Sequence, residues 1–219
     1  MKPLKPLPEY DLASLYPNTK VLSSSQVVTY LKDPKEFYIT YLNGVTKRSL
    51  PMDVGRIFSA AYADRSLDYA AYLTEIGCKA KFIGLFGQAL SKFPVIRGSI
   101  PEFPMIGRLG NGWEIRATLD DYHHKQGLII ENKTGKMPWT QERADQSPQV
   151  TIQEWTCWNK HGKMPKRVIV NWWNTGITSY PHVETYITSR SLAQLKDCEE
   201  LMEEVVTNIE AGNFSNPII

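Results

Sequence analysis

Two carboxylates and one ammonium group stand close together in the middle of the 219-residue chain, in a pattern that suits phosphodiester hydrolysis. The segment 116–122 contains Asp120, and the segment that follows it carries Glu131 and Lys133. Side chains alternate along a strand, so Glu131 and Lys133 share one face, and Asp120 can approach that face from a neighbouring strand. Carboxylate oxygens hold Mg²⁺ or Mn²⁺, which activates water and stabilises charge at phosphorus, while a nearby lysine orients the water.

The same segment leaves two alternatives open. Asp120 and Asp121 are adjacent, so only one of them can face Glu131 in a strand, and Leu119 before and Glu131 across favour Asp120. The spacing alone also fits a charged group that only decorates a half-exposed hairpin, because such ion pairs are common on sheets. The backbone carbonyl of Asn132 is a further candidate oxygen ligand.

The surrounding elements predict a mixed α/β core, with helices first and then sheet, helix, sheet and helix. Gln126-Gly127 is typical of the turn of a hairpin between the two segments that carry the carboxylates. Residues 53–76 predict one long helix, Ser147 begins another, and Ser191 begins an amphipathic C-terminal helix. Alternating runs predict five strands, near residues 103–108, 113–122, 127–133, 167–173 and 182–188.

Composition sets limits on the partners and the compartment. A net charge of +2 and a hydrophobic content of 42% are ordinary for a globular protein and neither require nor exclude a polyanionic partner. The three cysteines have no CxxC spacing, which argues against a structural zinc site and favours a reducing compartment. No stretch approaches the ~18 apolar residues of a membrane span, so we expect no membrane contact and a cytoplasmic location in a bacterial or phage-infected cell.

Residues 131–136, with the sequence E-N-K-T-G-K, resemble the (D/E)-x-K-T-G-K signature of RecB-like exonucleases in the PD-(D/E)XK nuclease superfamily. Three further segments stand in that family's order. Residues 22–41 are similar to its N-terminal helical entry, residues 148–153 to its glutamine motif, and residues 209–217 to its C-terminal run. The resemblance therefore spans residues 22–217.

The resemblance implies a restriction-endonuclease-like α/β core, with a central mixed β-sheet flanked by helices and an N-terminal helical annex. Residues 1–21 would be an extension and residues 22–217 a single nuclease domain, divided into a helical part (22–92) and a catalytic part (93–217). Its expected partner is DNA, as ends or single strands, and a helicase or recombinase is a candidate protein partner. The implied cofactor is Mg²⁺ or Mn²⁺.

The resemblance also assigns roles to individual residues. Asp120, Glu131 and the Asn132 carbonyl would hold the metal. Lys133 would position the attacking water, and Gln149 would help to fix the phosphate. Further contacts with the nucleic acid are expected from Arg56, Arg116, Lys136, Trp139 and Gln153.

Two departures from the family pattern bear on activity. Ser59 stands where RecB-like enzymes have a metal-binding histidine, so fewer protein groups and more water would hold the metal, or a carboxylate would substitute. Glu102 is the first candidate for that substitution and Asp64 the second. Asp33 stands where many relatives have the first cysteine of an iron–sulfur cluster, so we expect no cluster.

Two functions follow from these patterns. The first is a metal-dependent DNA nuclease, more specifically an exonuclease of recombination or repair. The second is a nucleic-acid-binding protein on the same fold that has little or no catalytic activity and acts with a helicase or recombinase. Ser59 favours the second function, whereas the intact set of Asp120, Glu131 and Lys133 favours the first.

Overall fold

The structure, a computed structural model, describes residues 20–45 and 49–215. The described residues contain one mixed sheet flanked by helices, as predicted, and Asp33 caps the second helix. The strands are β1 (Val21–Ser23), β2 (Ile100–Arg108), β3 (Glu114–His123), β4 (Leu128–Gly135), β5 (Arg167–Asn174) and β6 (His182–Thr188). The α-helices are α1 (Ser24–Lys32), α2 (Pro34–Phe37), α3 (Leu50–Ala63), α4 (Tyr69–Glu75), α5 (Ala80–Lys92), α6 (Gln141–Asp145), α7 (Pro148–His161) and α8 (Leu192–Glu210).

The strand pairing leaves an opening beside β3. β2 pairs with almost the whole of β3 along one edge. On the other edge, β1 runs parallel to residues 114–116 and β4 runs antiparallel to residues 121–123. Among the described strands, none pairs with residues 117–120 on that edge, so β3 and β4 diverge at Asp120.

The sheet separates two groups of helices. Trp172 and Trp173 are neighbours on β5 and point into different hydrophobic clusters. Trp172 packs with Val150 and Cys157 of α7, whereas Trp173 packs with α3, α4 and α5. Helices α3, α4 and α5 therefore cover one face of the sheet, and α7 covers the other, where α1 packs against α7 and α8. Among the residues described, no helix is long and apolar enough to cross a bilayer.

The long helix predicted over residues 53–76 is wrong, because the chain breaks between α3 and α4. Asp64 ends α3, and its carboxylate accepts hydrogen bonds from the backbone nitrogen and the hydroxyl of Ser66 at 2.9 and 2.6 Å. The Arg65 side chain turns back to the carbonyl oxygen of Leu90 at 2.7 Å. Asp68 then caps α4 by accepting from the nitrogen of Ala71. These polar contacts replace the helical hydrogen bonds that a continuous helix would make.

A buried arginine fixes α7 against the end of the sheet. Arg190 donates to the hydroxyls of Thr151 and Thr188 at 2.8 and 2.7 Å, and more weakly to the carbonyl of Ser147. Its backbone nitrogen donates to Glu154 at 3.1 Å. Glu154 is fully buried in α7, and this burial raises the pKa of its carboxyl to about 7.

This carboxyl gives a pH-dependent stability that can be measured. Its pKa is higher in the folded than in the unfolded chain, so the folded state binds more protons between about pH 4.5 and 7, and stability falls as pH rises through that window. In Glu154→Gln we expect this fall to shrink by up to about 3 kcal/mol. Urea unfolding of both proteins at pH 5, 6, 7 and 8 measures the difference, and parallel pH profiles would contradict it.

Candidate active site

The predicted catalytic carboxylates meet where β3 and β4 diverge. Asp120 Oδ2 accepts a hydrogen bond from the backbone nitrogen of Asn132 at 2.6 Å, so the side chain spans the gap between the two strands. Asp121 points to the opposite face, where it accepts from Ser99 Oγ at 2.8 Å and from the Tyr62 hydroxyl at 3.2 Å. The geometry thus selects Asp120 as the partner of Glu131.

Glu131 is the centre of a hydrogen-bonded group that joins β4 to α7. Its Oε1 atom lies 2.5 Å from Lys133 Nζ and accepts from Gln149 Nε2 at 2.9 Å. Its Oε2 atom accepts from Gln153 Nε2 at 2.5 Å, and Lys133 also donates to Gln149 Oε1 at 2.7 Å. Gln149 and Gln153 are one helical turn apart, which is why both amides reach the same carboxylate. The carboxylate and the lysine are therefore held in one orientation.

The two carboxylates repel one another in the absence of a cation. Burial and the charge of Glu131 raise the pKa of Asp120 well above its ordinary value, and Lys133 and the Asn132 N–H offset only part of that rise. A divalent cation between two such oxygen donors would remove the repulsion, so the donor set fits Mg²⁺ or Mn²⁺. In the described part of the chain, no three His, Cys, Asp or Glu side chains converge as a metal site. The Asn132 carbonyl, Glu102 and water remain candidates for further ligands.

Glu102 lies beside Asp120 on the neighbouring strand. The β2–β3 register places residues 102 and 120 opposite each other, yet this is the position where the pairing lapses. The Glu102 backbone has a φ of 49°, which costs energy for a residue with a side chain and is typical of functional sites. Its charge contributes to the raised pKa of Asp120, after the burial of that carboxyl and the charge of Glu131. Glu102 is thus near the site, whereas the carboxylate of Asp64 binds Ser66 instead.

Ser59 lies at the site, on the side of the sheet that α3 covers. It lines an open cavity of about 370 Å³ together with Asn132, Lys133 and Thr134. Helix α3 can approach β4 closely because residue 55 is glycine, and a Cβ there would lie 3.3 Å from Thr134 Oγ1. A side chain longer than serine at position 59 would therefore extend toward the end of β4.

Two of the residues predicted to contact nucleic acid are buried in this structure. Gln153 is fully buried, and its amide is bonded to Glu131 rather than open to a phosphate. Trp139 is 9% exposed, with the Arg143 guanidinium 4.7 Å from its ring centroid and Lys133 Nζ at 6.0 Å. The indole therefore packs under these two cations and presents no open face to a base. Helix α6 follows it, over Gln141–Asp145.

The three basic residues predicted to contact DNA differ in exposure and in their place in the fold. Lys136 is exposed immediately after β4, and Arg116 is half-buried on the face of β3 that also carries Asp120. Arg56 of α3 lies 3.9 Å from Asp53. Of the three, Lys136 is the exposed one, and it lies three residues after Lys133 in the chain.

Sequence reasoning missed the polar residues behind the site. Tyr62 and Asn171 are almost fully buried, and each makes a side-chain hydrogen bond to a residue that adjoins a predicted catalytic carboxylate in sequence. Asn171 could have been found, because it interrupts the apolar run of β5, where a polar residue is unusual. Tyr62 carries no such signal, since tyrosine is common in amphipathic helices.

No protein-family model and no curated protein matches the sequence, whereas solved structures do match. A protein of Eubacterium rectale that is proposed to be an exonuclease matches 94% of this chain and 86% of its own, with 14% identity and a TM-score of 0.64. LHK-Exo, an alkaline exonuclease from Laribacter hongkongensis, matches 94% of both chains with 14% identity and a TM-score of 0.45. Its complex with dAMP matches 89% of this chain and 90% of its own, with 15% identity and a TM-score of 0.47. From the first of these likenesses, the chain has the restriction-endonuclease-like α/β fold that its sequence motifs predict.

Proposed function

We propose that this protein is a Mg²⁺- or Mn²⁺-dependent deoxyribonuclease that acts as an exonuclease on DNA ends or single strands in recombination or repair. The observation that carries the proposal is the convergence of Asp120, Glu131 and Lys133 where β3 and β4 diverge. The fold shared with the Eubacterium rectale protein supports it. Residues 22–217 would form the single nuclease domain, although residues 216 and 217 lie outside the described part of the chain.

Asp120, Glu131 and the carbonyl of Asn132 would hold the metal, with Glu102 as a further ligand directly or through water. When bound, the metal supplies positive charge to the phosphate and makes water a better nucleophile at neutral pH. To bind the metal, Glu131 would give up some of the hydrogen bonds that its carboxylate makes in this structure. Its contacts with Gln149 and Gln153 would keep the carboxylate oriented while it does so.

Lys133 and Gln149 would act directly on the reacting groups. Lys133 Nζ can donate a hydrogen bond to the attacking water or to charge that develops on the phosphate. Gln149 fixes the lysine through its Oε1 atom, and it lies in the first turn of α7, where the helix dipole favours an anion. Lys136, Arg116 and Arg56 would contact the DNA backbone farther along.

A catalytically weak nucleic-acid-binding protein is the second candidate function, and Ser59 is the observation that favours it. A serine hydroxyl is a poor replacement for a histidine ligand, so the metal would be held less tightly. Such a protein would act with a helicase or recombinase, and it would co-purify with that partner in the absence of DNA.

The test is cleavage of end-labelled linear DNA, single- and double-stranded, with Mg²⁺, with Mn²⁺ and with EDTA. We expect degradation that requires metal and is absent in Lys133→Ala. The labelled products also give the direction of digestion. The nuclease proposal fails if no condition yields cleavage while the wild type and the variant bind DNA equally well.

Ser59→His provides a gain-of-function test of the same site. An imidazole at this position is expected to raise the affinity for Mn²⁺ about fivefold and to change the affinity for Mg²⁺ little, because nitrogen ligands favour the transition metal. Titration calorimetry with each ion measures both affinities. Ser59→Leu is the control, since it adds similar bulk without a ligand atom. Equal affinities in the two variants would place residue 59 away from the metal.

A further inference from the structure

A row of polar side chains crosses three strands on the face of the sheet opposite Glu131 and Lys133. Asn132, Asn171 and Thr185 lie directly opposite one another in the registers of β4, β5 and β6. Asn171 Nδ2 donates to Asn132 Oδ1 at 3.0 Å, and Thr185 Oγ1 donates to Asn171 Oδ1 at 2.9 Å. Asn132 is 8% exposed and Asn171 fully buried, so these bonds are shielded from water.

A second set of polar contacts holds β3 on the same face. The Asp121 carboxylate accepts from Ser99 and Tyr62, and the Tyr62 hydroxyl lies 2.9 Å from the carbonyl oxygen of Pro94. Burial and the charge of Asp121 raise the pKa of Tyr62. The Tyr62 hydroxyl thereby joins α3 to β3 at the residue that follows Asp120. We call Tyr62, Ser99, Asp121, Asn132, Asn171 and Thr185 together the polar ladder.

The polar ladder has a cost in stability that an apolar core would avoid. Buried polar groups lose hydration, and replacing a buried pair by apolar groups of similar shape is often neutral or stabilising. Asp121 Oδ1 is moreover a buried atom with no hydrogen-bond partner in the described part of the chain. A role other than stability is therefore needed to account for it.

Its position suggests that role. Asp121 follows Asp120, and Asn132 lies between Glu131 and Lys133, so each catalytic strand has a ladder residue next to its reactive side chains. β3 and β4 pair only as far as Asp121 and Ile130, so on its β3 side the Asn132 nitrogen bonds to the Asp120 side chain and not to main chain. On its other side β4 pairs with β5, and there the ladder adds a side-chain bond from Asn171 to Asn132.

We propose that the polar ladder is a positioning device, which orients the Asn132 peptide so that its carbonyl and the flanking Glu131 and Lys133 face the metal and the phosphate. The inference rests on the proposed metal-dependent nuclease. Tyr62 and Asn171 are positioning residues in it, since they act through Asp121 and Asn132. Groups that orient metal ligands from behind typically change metal affinity by about 10- to 100-fold.

The test separates positioning from stability by means of a single and a double variant. Asn171→Leu leaves Asn132 Oδ1 buried without its donor, so the Tm in EDTA should fall by about 5 °C and the Kd for Mn²⁺ should rise about tenfold. Asn132→Leu/Asn171→Leu removes both partners. Its Tm should return to within about 2 °C of the wild type, while the Kd for Mn²⁺ stays about tenfold higher.

Tyr62→Phe is an independent probe that keeps the aromatic packing and removes only the hydroxyl. We expect a Kd for Mn²⁺ that is about three- to tenfold higher, which is near the lower end of the effects seen when residues that orient metal ligands are changed. We also expect a lower kcat with an unchanged KM for DNA. Tyr30→Phe is the matched control, because Tyr30 is also buried, lies in a different hydrophobic cluster, and donates from its hydroxyl to the carbonyl of Asn213. It should lower Tm without changing the Kd for Mn²⁺.

The outcomes distinguish the inference from the function on which it rests. If the double variant regains the wild-type Kd together with its Tm, the ladder acts through stability alone and the inference is wrong. The same holds if Tyr62→Phe and Tyr30→Phe bind Mn²⁺ equally well. If the wild type itself binds no Mn²⁺ and cleaves no DNA, the proposed function fails first, and the inference fails with it.

Discussion

Lys133→Ala is expected to lower kcat for DNA cleavage by about 10²- to 10³-fold, the usual cost of removing one donor that stabilises a transition state. The lysine lies 2.5 Å from Glu131 and donates to Gln149 at 2.7 Å, so it is fixed before substrate arrives and loses little freedom during the reaction. Single-turnover cleavage of end-labelled DNA, at saturating Mn²⁺, measures the chemical step.

The affinity of Lys133→Ala for Mn²⁺ should not fall with its catalytic rate. Removal of the ammonium group leaves more net negative charge beside Asp120 and Glu131, so the affinity for Mn²⁺ should stay the same or rise slightly. Lys136→Ala is the matched control, because Lys136 is exposed and lies one residue beyond β4. It should weaken DNA binding and leave the single-turnover rate at saturating DNA within about threefold of the wild type. If Lys133→Ala and Lys136→Ala lost the single-turnover rate equally, Lys133 would contribute only positive charge and not a specific hydrogen bond in the transition state.

The central part of this site could be predicted from sequence because it depends on local periodicity. Strand alternation placed Glu131 and Lys133 on one face and distinguished Asp120 from Asp121, and the contacts of these residues agree. The hairpin was also predictable, because a tight connection needs a residue with positive φ and glycine adopts one most readily. Gly127 has a φ of 59° in the structure. Interactions over a few residues are encoded in the pattern itself.

The errors concern contacts between residues far apart in the chain. Gln153 and Trp139 resemble surface residues in sequence, but Gln153 is buried against Glu131 and Trp139 packs in the hydrophobic cluster that contains Trp172. The break after α3 depends on Arg65 reaching carbonyl groups at the end of α5. Such tertiary contacts override local propensity, and the spacing of apolar and polar residues in the sequence does not predict them.

Serine at position 59 is a poor metal ligand, so the proposed carboxylate ligands become more important. In the proposed site, Asp120 and Glu131 would each account for a large share of the metal-binding free energy. Glu131 is secured by three side-chain contacts, whereas Asp120 has one hydrogen bond to a backbone nitrogen and like charge beside it. Asp120 is therefore the residue at which metal affinity and folding stability oppose each other most directly.

Asp120→Asn should lose metal affinity and gain stability at the same time. The amide keeps an oxygen that can accept from the Asn132 nitrogen, but it removes the negative charge. The Kd for Mn²⁺ should therefore rise by at least about 100-fold, more than when a residue that only orients a ligand is changed, and cleavage should cease. The pKa of Asp120 is raised in the folded protein, so its ionised form costs stability above its ordinary pKa, and the cost persists at pH 8. We therefore expect the Tm of the variant, in EDTA at pH 8, to exceed that of the wild type by about 3 °C.

Asp121→Asn is the matched control for this prediction, because it makes the same substitution one residue later on the opposite face of β3. Asp121 lies among Ser99 and Tyr62 and does not face Glu131, so its replacement should raise the Kd for Mn²⁺ by no more than about tenfold. A larger loss of Mn²⁺ binding in Asp121→Asn than in Asp120→Asn would reverse the assignment of the ligand. A lower Tm in EDTA for Asp120→Asn would show that the hydrogen bond to Asn132 outweighs the repulsion from Glu131, and that the carboxylate serves the apo fold as well as the metal.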